Sequence, residues 1–273
     1  MRPLTMFVDG MCLFHRAKSG FVAGDHFVTF NFIRSLRSLI SQLAPTRVVI
    51  AMEGSKAARV AIDPAYKSNR RSAGSSFYEQ VAECVALLSE HFPVSVVSHP
   101  ELEADDVIAK MIRSSASGAV DSVIVSTDRD YLQLVAERDS VKLFDPVKKE
   151  FLRPGVSSDF LTWRALVGDA SDCVPRLFPD EQAAKLAADD AQLTETLAAD
   201  ASLLERFALN VKLLSFAEPS DGDDGWLRMT CSSPKRDWDA VALQFAMWEF
   251  KSILSDMPKF IAAFEPLWVS RAS

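Results

Sequence analysis

Nine carboxylates of this chain are spaced so that an α/β sheet would gather them at one edge. Three apolar, β-rich runs end in an acid: Thr5-Met6-Phe7-Val8 at Asp9, Val48-Val49-Ile50-Ala51-Met52 at Glu53, and Val123-Ile124-Val125-Ser126-Thr127 at Asp128. A fourth run, Val94-Ser95-Val96-Val97, leads through a short loop to Glu103-Ala104-Asp105-Asp106. Asp130, Asp169 and Asp172 are expected to join from the elements that follow. In an open parallel sheet the strand carboxyl ends share one edge, and ligands bind there. Like charges about 4 Å apart at an effective dielectric of about 20 cost about 4 kcal/mol per pair, so such a cluster calls for cations. Oxygen-only ligands suit Mg²⁺ or Mn²⁺. The chemistry expected is metal-dependent phosphoryl transfer.

The elements that must position these acids are legible in the periodicity. Residues 27–43 carry Phe27, Phe30, Ile33, Leu36, Leu39, Ile40 and Leu43, the apolar face of a helix, with Pro45 beyond its end. Strand 46–53 follows, then a helix over 76–91, a strand at 94–98 and a helix opening at Glu103. Strand 122–127, a short helix from Asp128 and a fifth strand, Val141–Phe144, complete the alternation. This order implies an α/β fold, a mainly parallel sheet with helices on both faces. After about residue 155 the pattern turns helical, with Ser157 and Ser158 as candidate N-caps, an acidic turn at 219–225 and an aromatic helical tail from Asp239 to Trp268. The expected division is an α/β catalytic region, 1–155, and a helical region, 156–273, that completes the acid cluster.

The composition sets bounds. The chain has 273 residues, 48% hydrophobic and 25% charged, ordinary for a globular protein. Four dispersed cysteines make no C-x-x-C pair, so neither zinc nor a disulfide framework is expected. No apolar run reaches the roughly 18 residues of a membrane span, and a cytoplasmic monomer is expected. The net charge of −7 speaks against a nucleic-acid partner until its distribution is considered. Between Lys56 and Arg71 the sign reverses, with Lys56, Arg59, Lys67, Arg70 and Arg71 facing only Asp63. In Tyr66-Lys67-Ser68-Asn69-Arg70-Arg71 the two cations Lys67 and Arg70 are three apart, so on a helix both would reach one phosphate, while Tyr66 would stack on a base.

Acids in a first helical turn also cap free N–H groups and offset the helix dipole. Glu103-Ala104-Asp105-Asp106, Ser126-Thr127-Asp128-Arg129-Asp130 and Gly168-Asp169-Ala170-Ser171-Asp172 repeat the arrangement at successive junctions, which favours a shared metal site over independent capping. In order with Val8-Asp9-Gly10, Glu53-Gly54 and Tyr66-Lys67-Ser68-Asn69-Arg70, these motifs resemble the 5′ nuclease superfamily over roughly residues 5–190. That superfamily includes flap endonucleases, the 5′-exonuclease domain of bacterial DNA polymerase I, and phage 5′-exonucleases and ribonucleases H. The small size is similar to the stand-alone phage type, whose home would be the host cytoplasm.

The resemblance implies a PIN-like fold and roles for these residues. Asp9, Glu53, Glu103 and Asp105 would hold a first Mg²⁺, for which Mn²⁺ substitutes. Asp128, Asp130, Asp169 and Asp172 would surround a second, with Asp106 near both. Lys67 and Arg70 would meet the scissile phosphate at the base of a helical arch spanning about 54–78, with Lys56, Arg59, Tyr66 and Arg71 contacting nucleic acid. The substrate implied is DNA with a 5′ flap or a 5′ end at a duplex junction, or an RNA–DNA hybrid whose RNA primer is trimmed. Two departures stand out: Glu53 where the family commonly has Asp, and Cys173-Val174-Pro175-Arg176-Leu177-Phe178-Pro179-Asp180 where it has a glycine-rich hairpin that binds K⁺. Bulky residues resist the φ > 0 turns of such a hairpin, so no K⁺ site is expected.

Other readings are weaker. A non-catalytic nucleic-acid-binding relative would not need Lys67 and Arg70 beside a full acidic set, and a PIN-type ribonuclease would not need the arch. A haloacid-dehalogenase-type phosphatase would need an Asp at position 11, which is Met11. The histidines show no ligand spacing and read as structural or surface groups. The aromatic tail reads as core in preference to a docking surface for a single-strand-binding protein.

Overall fold

The computed structural model describes residues 2–22, 24–115, 120–155, 159–217, 228–229 and 234–272. The elements run β1 (Leu4–Asp9), α1 (Gly10–Lys18), α2 (Phe27–Leu43), β2 (Arg47–Ala51), α3 (Ala57–Ile62), α4 (Ser75–His91), β3 (Ser95–Ser98), α5 (Ala104–Ser114), β4 (Asp121–Val125), α6 (Leu132–Glu137), β5 (Val141–Asp145) and β6 (Glu150–Leu152). They continue as α7 (Phe160–Val167), α8 (Asp180–Ala187), α9 (Asp190–Ala198), α10 (Ala201–Leu214), β7 (Arg228–Met229), α11 (Trp238–Met247), α12 (Lys251–Leu254), α13 (Met257–Ala262) and α14 (Glu265–Ala272).

The strands form one sheet in the order β6-β5-β4-β1-β2-β3-β7. The five central strands are parallel, and the two edges, β6 and β7, are antiparallel. The α/β class with helices on both faces is therefore the observed one. Alternation along the strands divides the apolar side chains. Met6, Val8, Val48 and Ile50 face a core shared with α1, α2 and α4, while Phe7, Val49, Ala51 and Val97 face one shared with α5 and α6.

Two edge strands escaped the sequence reading. β6 has three residues and β7 two, too short for a period-2 pattern to register. The helix expected from Asp128 begins only at Leu132, because Asp128 and Asp130 are tied into a turn before it. Helix α7 is capped by Asp159, whose side chain accepts from Leu161 N; Ser157, Ser158 and the turn at 219–225 lie outside the described residues.

The aromatic tail is core. Phe245, Phe250, Phe260 and Phe264 are buried in the same cluster as Phe14, Phe32 and Phe92, with Phe92 packed edge-on against Phe264 at 5.0 Å and Trp248 stacked on His26 at 5.2 Å. Helices α11–α14 thus close the core opened by α2 and α4. No helix among the described residues is long and apolar enough to cross a membrane.

Candidate active site

Strand register brings the acids together. Asp9 is level with Ala51, and Val8 with Val125, so Asp9, Glu53 and Asp128 emerge side by side from adjacent strand ends. Asp9 caps α1, accepting from Cys12 N at 3.0 Å, and its other oxygen accepts from Ser126 Oγ at 2.9 Å. Glu53 reaches the start of α5, where its carboxylate accepts from Ala104 N at 3.2 Å. That approach needs Gly54: a Cβ there would lie 1.8 Å from His99 O. The loop from Gly168 turns back through Gly168 at φ +68° and Cys173 at φ +61°, closed by paired bonds between Asp169 and Val174. Cys173 thus adopts, without glycine, a left-handed turn that the sequence did not suggest.

Two groups of three acids offer oxygens within 4.8 Å of one another: Glu103, Asp105 and Asp106, and Asp130, Asp169 and Asp172. Most of these oxygens already accept protein hydrogen bonds: Glu103 from Lys67, Arg59 and Tyr66, and Asp172 from Arg70 and Tyr66. Asp106 accepts from Arg59 Nη1 at 2.8 Å, Arg59 Nη2 at 2.6 Å, Ala217 N at 2.7 Å and Glu103 N at 3.2 Å. Asp169 accepts from Ser171 N and Ser171 Oγ, both at 2.7 Å, and from Arg164. These bonds hold the two groups in shape. Asp9, Glu53, Asp105 and Asp128 have no ion pair to a basic side chain among the described residues.

All four acids without such an ion pair are pushed toward the protonated form. Burial, then repulsion from Glu103 and Asp9, pushes Glu53 up to about 7. Burial, then Asp130, pushes Asp128 up to about 7. Burial raises Asp9, and burial with Asp106 raises Asp105 well above the usual carboxylate range. Burial also opposes ionisation of Glu103, yet Lys67 and Arg59 together hold it below its ordinary value. The hydroxyl of Tyr131, fully buried, has no hydrogen-bond partner among the described residues, and its charged neighbours are Asp9, Asp105, Asp128 and Glu53. An oxygen-only donor set, acids strained toward protonation and an orphaned hydroxyl fit a hard divalent cation.

A pH dependence follows. Glu53 and Asp128 hold protons in the fold that the unfolded chain, with carboxylates near 4, has released. The stability they contribute is present below about pH 4 and lost as pH rises through about 7. Without divalent ions the melting temperature should be lower at about pH 8 than at about pH 5.5. Mg²⁺ or Mn²⁺ should raise it more at the higher pH, since metal and proton compete. Equal metal-induced shifts at both pH values would contradict the assignment.

The basic residues differ more from expectation. Lys67 and Arg70 do not share a helix; Lys67 sits at φ +50° in a turn, with its N–H donating to Asp172 O at 3.0 Å. Both nonetheless point at the acids. Lys67 Nζ donates to Glu103 Oε1 at 2.5 Å and lies 3.7 Å from Asp172, only 6% of the residue being exposed. Arg70 donates to Asp172 Oδ1 at 2.5 Å with half its side chain in solvent. Tyr66 is 3% exposed and its hydroxyl donates to Glu103, so it offers no face to a base. Arg59, 4% exposed, spends its guanidinium on Glu103, Asp106 and the carbonyls of Leu213 and Ser215, so it is no nucleic-acid contact. A short amphipathic helix does not announce which of its bases faces inward.

The acids open into a cleft of about 1460 Å³ whose lining includes Arg16, Lys56, Arg70, Arg71 and Arg129. Arg16 and Arg129 were not expected there, nor was Arg164. Arg164 donates Nε to Asp130 at 2.7 Å and Nη1 to Gly168 O at 2.8 Å, and pairs with Asp169. Its signal was available: a single base in an apolar helix, four residues before Gly168.

A family model described as the 5′–3′ exonuclease, N-terminal resolvase-like domain matches residues 4–160. DNA polymerase I of Synechocystis sp. is 28% identical over 218 residues, covering 68% of this chain and 22% of that protein. DNA polymerase I of Mycobacterium bovis is 30% identical over 217 residues, 70% of this chain and 24% of that protein. The chain thus spans less than a quarter of the length of these relatives. The fold is similar to that of the bacteriophage T5 flap endonuclease, solved with DNA and metal ions, with a TM-score of 0.64 at 18% identity over 77% of this chain and 88% of that one. It is also similar to the catalytic core of Rad2 in complex with DNA substrate, with a TM-score of 0.53 at 13% identity over 94% and 92% of the two chains. With its ordered acids at the carboxyl edge of a parallel sheet and more than half its length matched, the chain belongs to the 5′–3′ exonuclease N-terminal domain family of the 5′ nuclease superfamily.

Proposed function

We propose that the chain is a Mg²⁺-dependent nuclease that hydrolyses phosphodiester bonds where a 5′ single strand meets a duplex, in DNA or in an RNA–DNA hybrid. The observation that carries this reading is a buried acid cluster open to a large cleft with a basic rim. Guanidinium and ammonium groups of that rim suit a phosphate backbone, which implies recognition of shape with little base readout. The T5 relative, solved with DNA and metal ions, and the Rad2 core, solved with DNA substrate, support the same substrate class.

Asp9, Glu53, Asp105 and Asp128, with Glu103, Asp130 and Asp172, would hold two divalent ions. When bound, such ions activate the attacking water and stabilise charge on the phosphate. Asp106 and Asp169, fixed by Arg59 and Arg164, keep the two acid groups in place. Arg70, half in solvent, can retain Asp172 while its remaining N–H groups meet a phosphate oxygen. Lys67, which also lines the cleft, spends one of its three N–H donors on Glu103 and has others for the phosphate.

If Lys67 meets charge that develops on the phosphate, its contribution is larger in the transition state than in the bound ground state. Lys67→Ala should then slow single-turnover cleavage by on the order of 10²-fold. Affinity measured in Ca²⁺ should change much less. Loss of affinity with an unchanged single-turnover rate would make Lys67 an ordinary backbone contact.

The loop after Asp172 should not bind K⁺. The carbonyls of Val174 and Pro175 already accept from Asp169 N at 2.9 Å and Asn210 Nδ2 at 2.8 Å. Duplex affinity should follow ionic strength and ignore which of K⁺, Na⁺ or Li⁺ supplies it. A clear K⁺ preference in matched titrations would show otherwise. The substrate is tested by mapping products from end-labelled 5′-flap, nicked-duplex and RNA–DNA substrates with Mg²⁺ or with chelator. Cuts near the 5′ single-strand junction are expected; products that ignore the junction would overturn the structure-specific reading.

A further inference from the structure

The cleft wall to which α1, α2 and α4 contribute carries an aromatic side chain that no step above uses. Tyr78, at the start of α4, lines the cleft and is 46% exposed. Its ring packs edge-on against Phe77, with centroids 5.2 Å apart and planes at 76°. Phe77 is buried and is stacked in turn on His15 of α1 at 4.9 Å and 24°, with the Lys18 ammonium 5.4 Å from its ring. Among the described residues lining the cleft, Tyr78 and His15 are the ones with aromatic rings. Arg16, Arg70 and Arg71 line the same cleft.

We propose that Tyr78 is a stacking subsite for one unpaired nucleobase of the strand that enters this cleft. The proposal rests on the nuclease reading and gives to Tyr78 the stacking role that buried Tyr66 cannot fill. Three features favour a nucleobase over another flat ligand. The ring already packs against Phe77, so less freedom is lost when a base stacks on it. The guanidinium groups lining the same cleft suit the phosphates of that strand. An aromatic platform beside a positive track is the arrangement by which single strands are held without sequence preference, since every base has a π-face.

The test uses duplexes with a 5′ single-stranded tail, bound in Ca²⁺, with 2-aminopurine placed at successive tail positions. One position should be quenched by the native chain, the quench should vanish in Tyr78→Ala and persist in Tyr78→Phe. Affinity for the tailed duplex should fall about tenfold in Tyr78→Ala and hold in Tyr78→Phe, while affinity for a blunt duplex stays unchanged in both. An abasic site at the quenched position should weaken binding to the native chain and have no further effect on Tyr78→Ala. A quench that survives in Tyr78→Ala, or equal abasic sensitivity in both proteins, overturns the subsite while native binding and cleavage leave the nuclease reading standing. If the native chain neither binds nor cleaves tailed DNA, both fall.

Discussion

Asp128→Asn should remove nearly all cleavage, about 10³-fold or more, and leave the fold intact. Asp128 stands at the turn after β4, where its N–H donates to Ser126 Oγ at 3.1 Å and its Oδ1 accepts from Asp130 N at 2.9 Å. The amide oxygen of Asn can accept the same bond, so the turn survives. What is lost is a charge, in a site that burial and Asp130 already push toward protonation. Relieving that repulsion should leave the metal-free chain at least as stable as before. The expected signature is therefore a silent enzyme with an equal or higher melting temperature. Turnover near normal in Mg²⁺ would remove Asp128 from the metal site, and a collapsed melting temperature would make it a structural acid.

Arg59→Leu should be the most destabilising single change in the site, by about 3–5 kcal/mol. The guanidinium bonds Glu103 Oε2 at 2.5 Å, both oxygens of Asp106, and the carbonyls of Leu213 at 3.0 Å and Ser215 at 3.0 Å. Its loss leaves buried Asp106 without a cation, takes from Glu103 one of its two, and removes the donor to two carbonyls. Arg59→Lys should rescue little, because an ammonium cannot span Asp106 in fork fashion and still reach the carbonyls. Arg59→Leu with Asp106→Leu should cost less than the two single changes added together, since the pair leaves fewer stranded groups. Denaturant unfolding measures all three. Strict additivity would show that Arg59 and Asp106 do not act as a unit.

Much of the sheet was legible because its physics is local. A β-rich run closed by an acid marks a strand and its carboxyl end, and parallel connection by helices puts those ends on one edge. Asp9, Glu53 and Asp128 followed from that alone. What escaped has physical reasons. The edges β6 and β7 are too short to show alternation. Arg59 and Tyr66 lie in a basic stretch that looks solvent-facing, and only the distant partners Glu103, Asp106 and Leu213 draw them inward. Lys67 takes a left-handed backbone that no propensity of lysine suggests. Arg164 was hidden by its apolar neighbours, although its spacing to Gly168 was in view.

The most direct test of the account is release of label from a 5′-labelled duplex bearing a 5′ single-stranded tail, followed with Mg²⁺ and with chelator, using the native chain and Asp128→Asn. The account expects phosphodiester cleavage near the junction with Mg²⁺, none with chelator, and almost none from Asp128→Asn at any Mg²⁺ concentration. Cleavage that survives chelation, or a native chain that binds this substrate in Mg²⁺ and never cuts it, would contradict it.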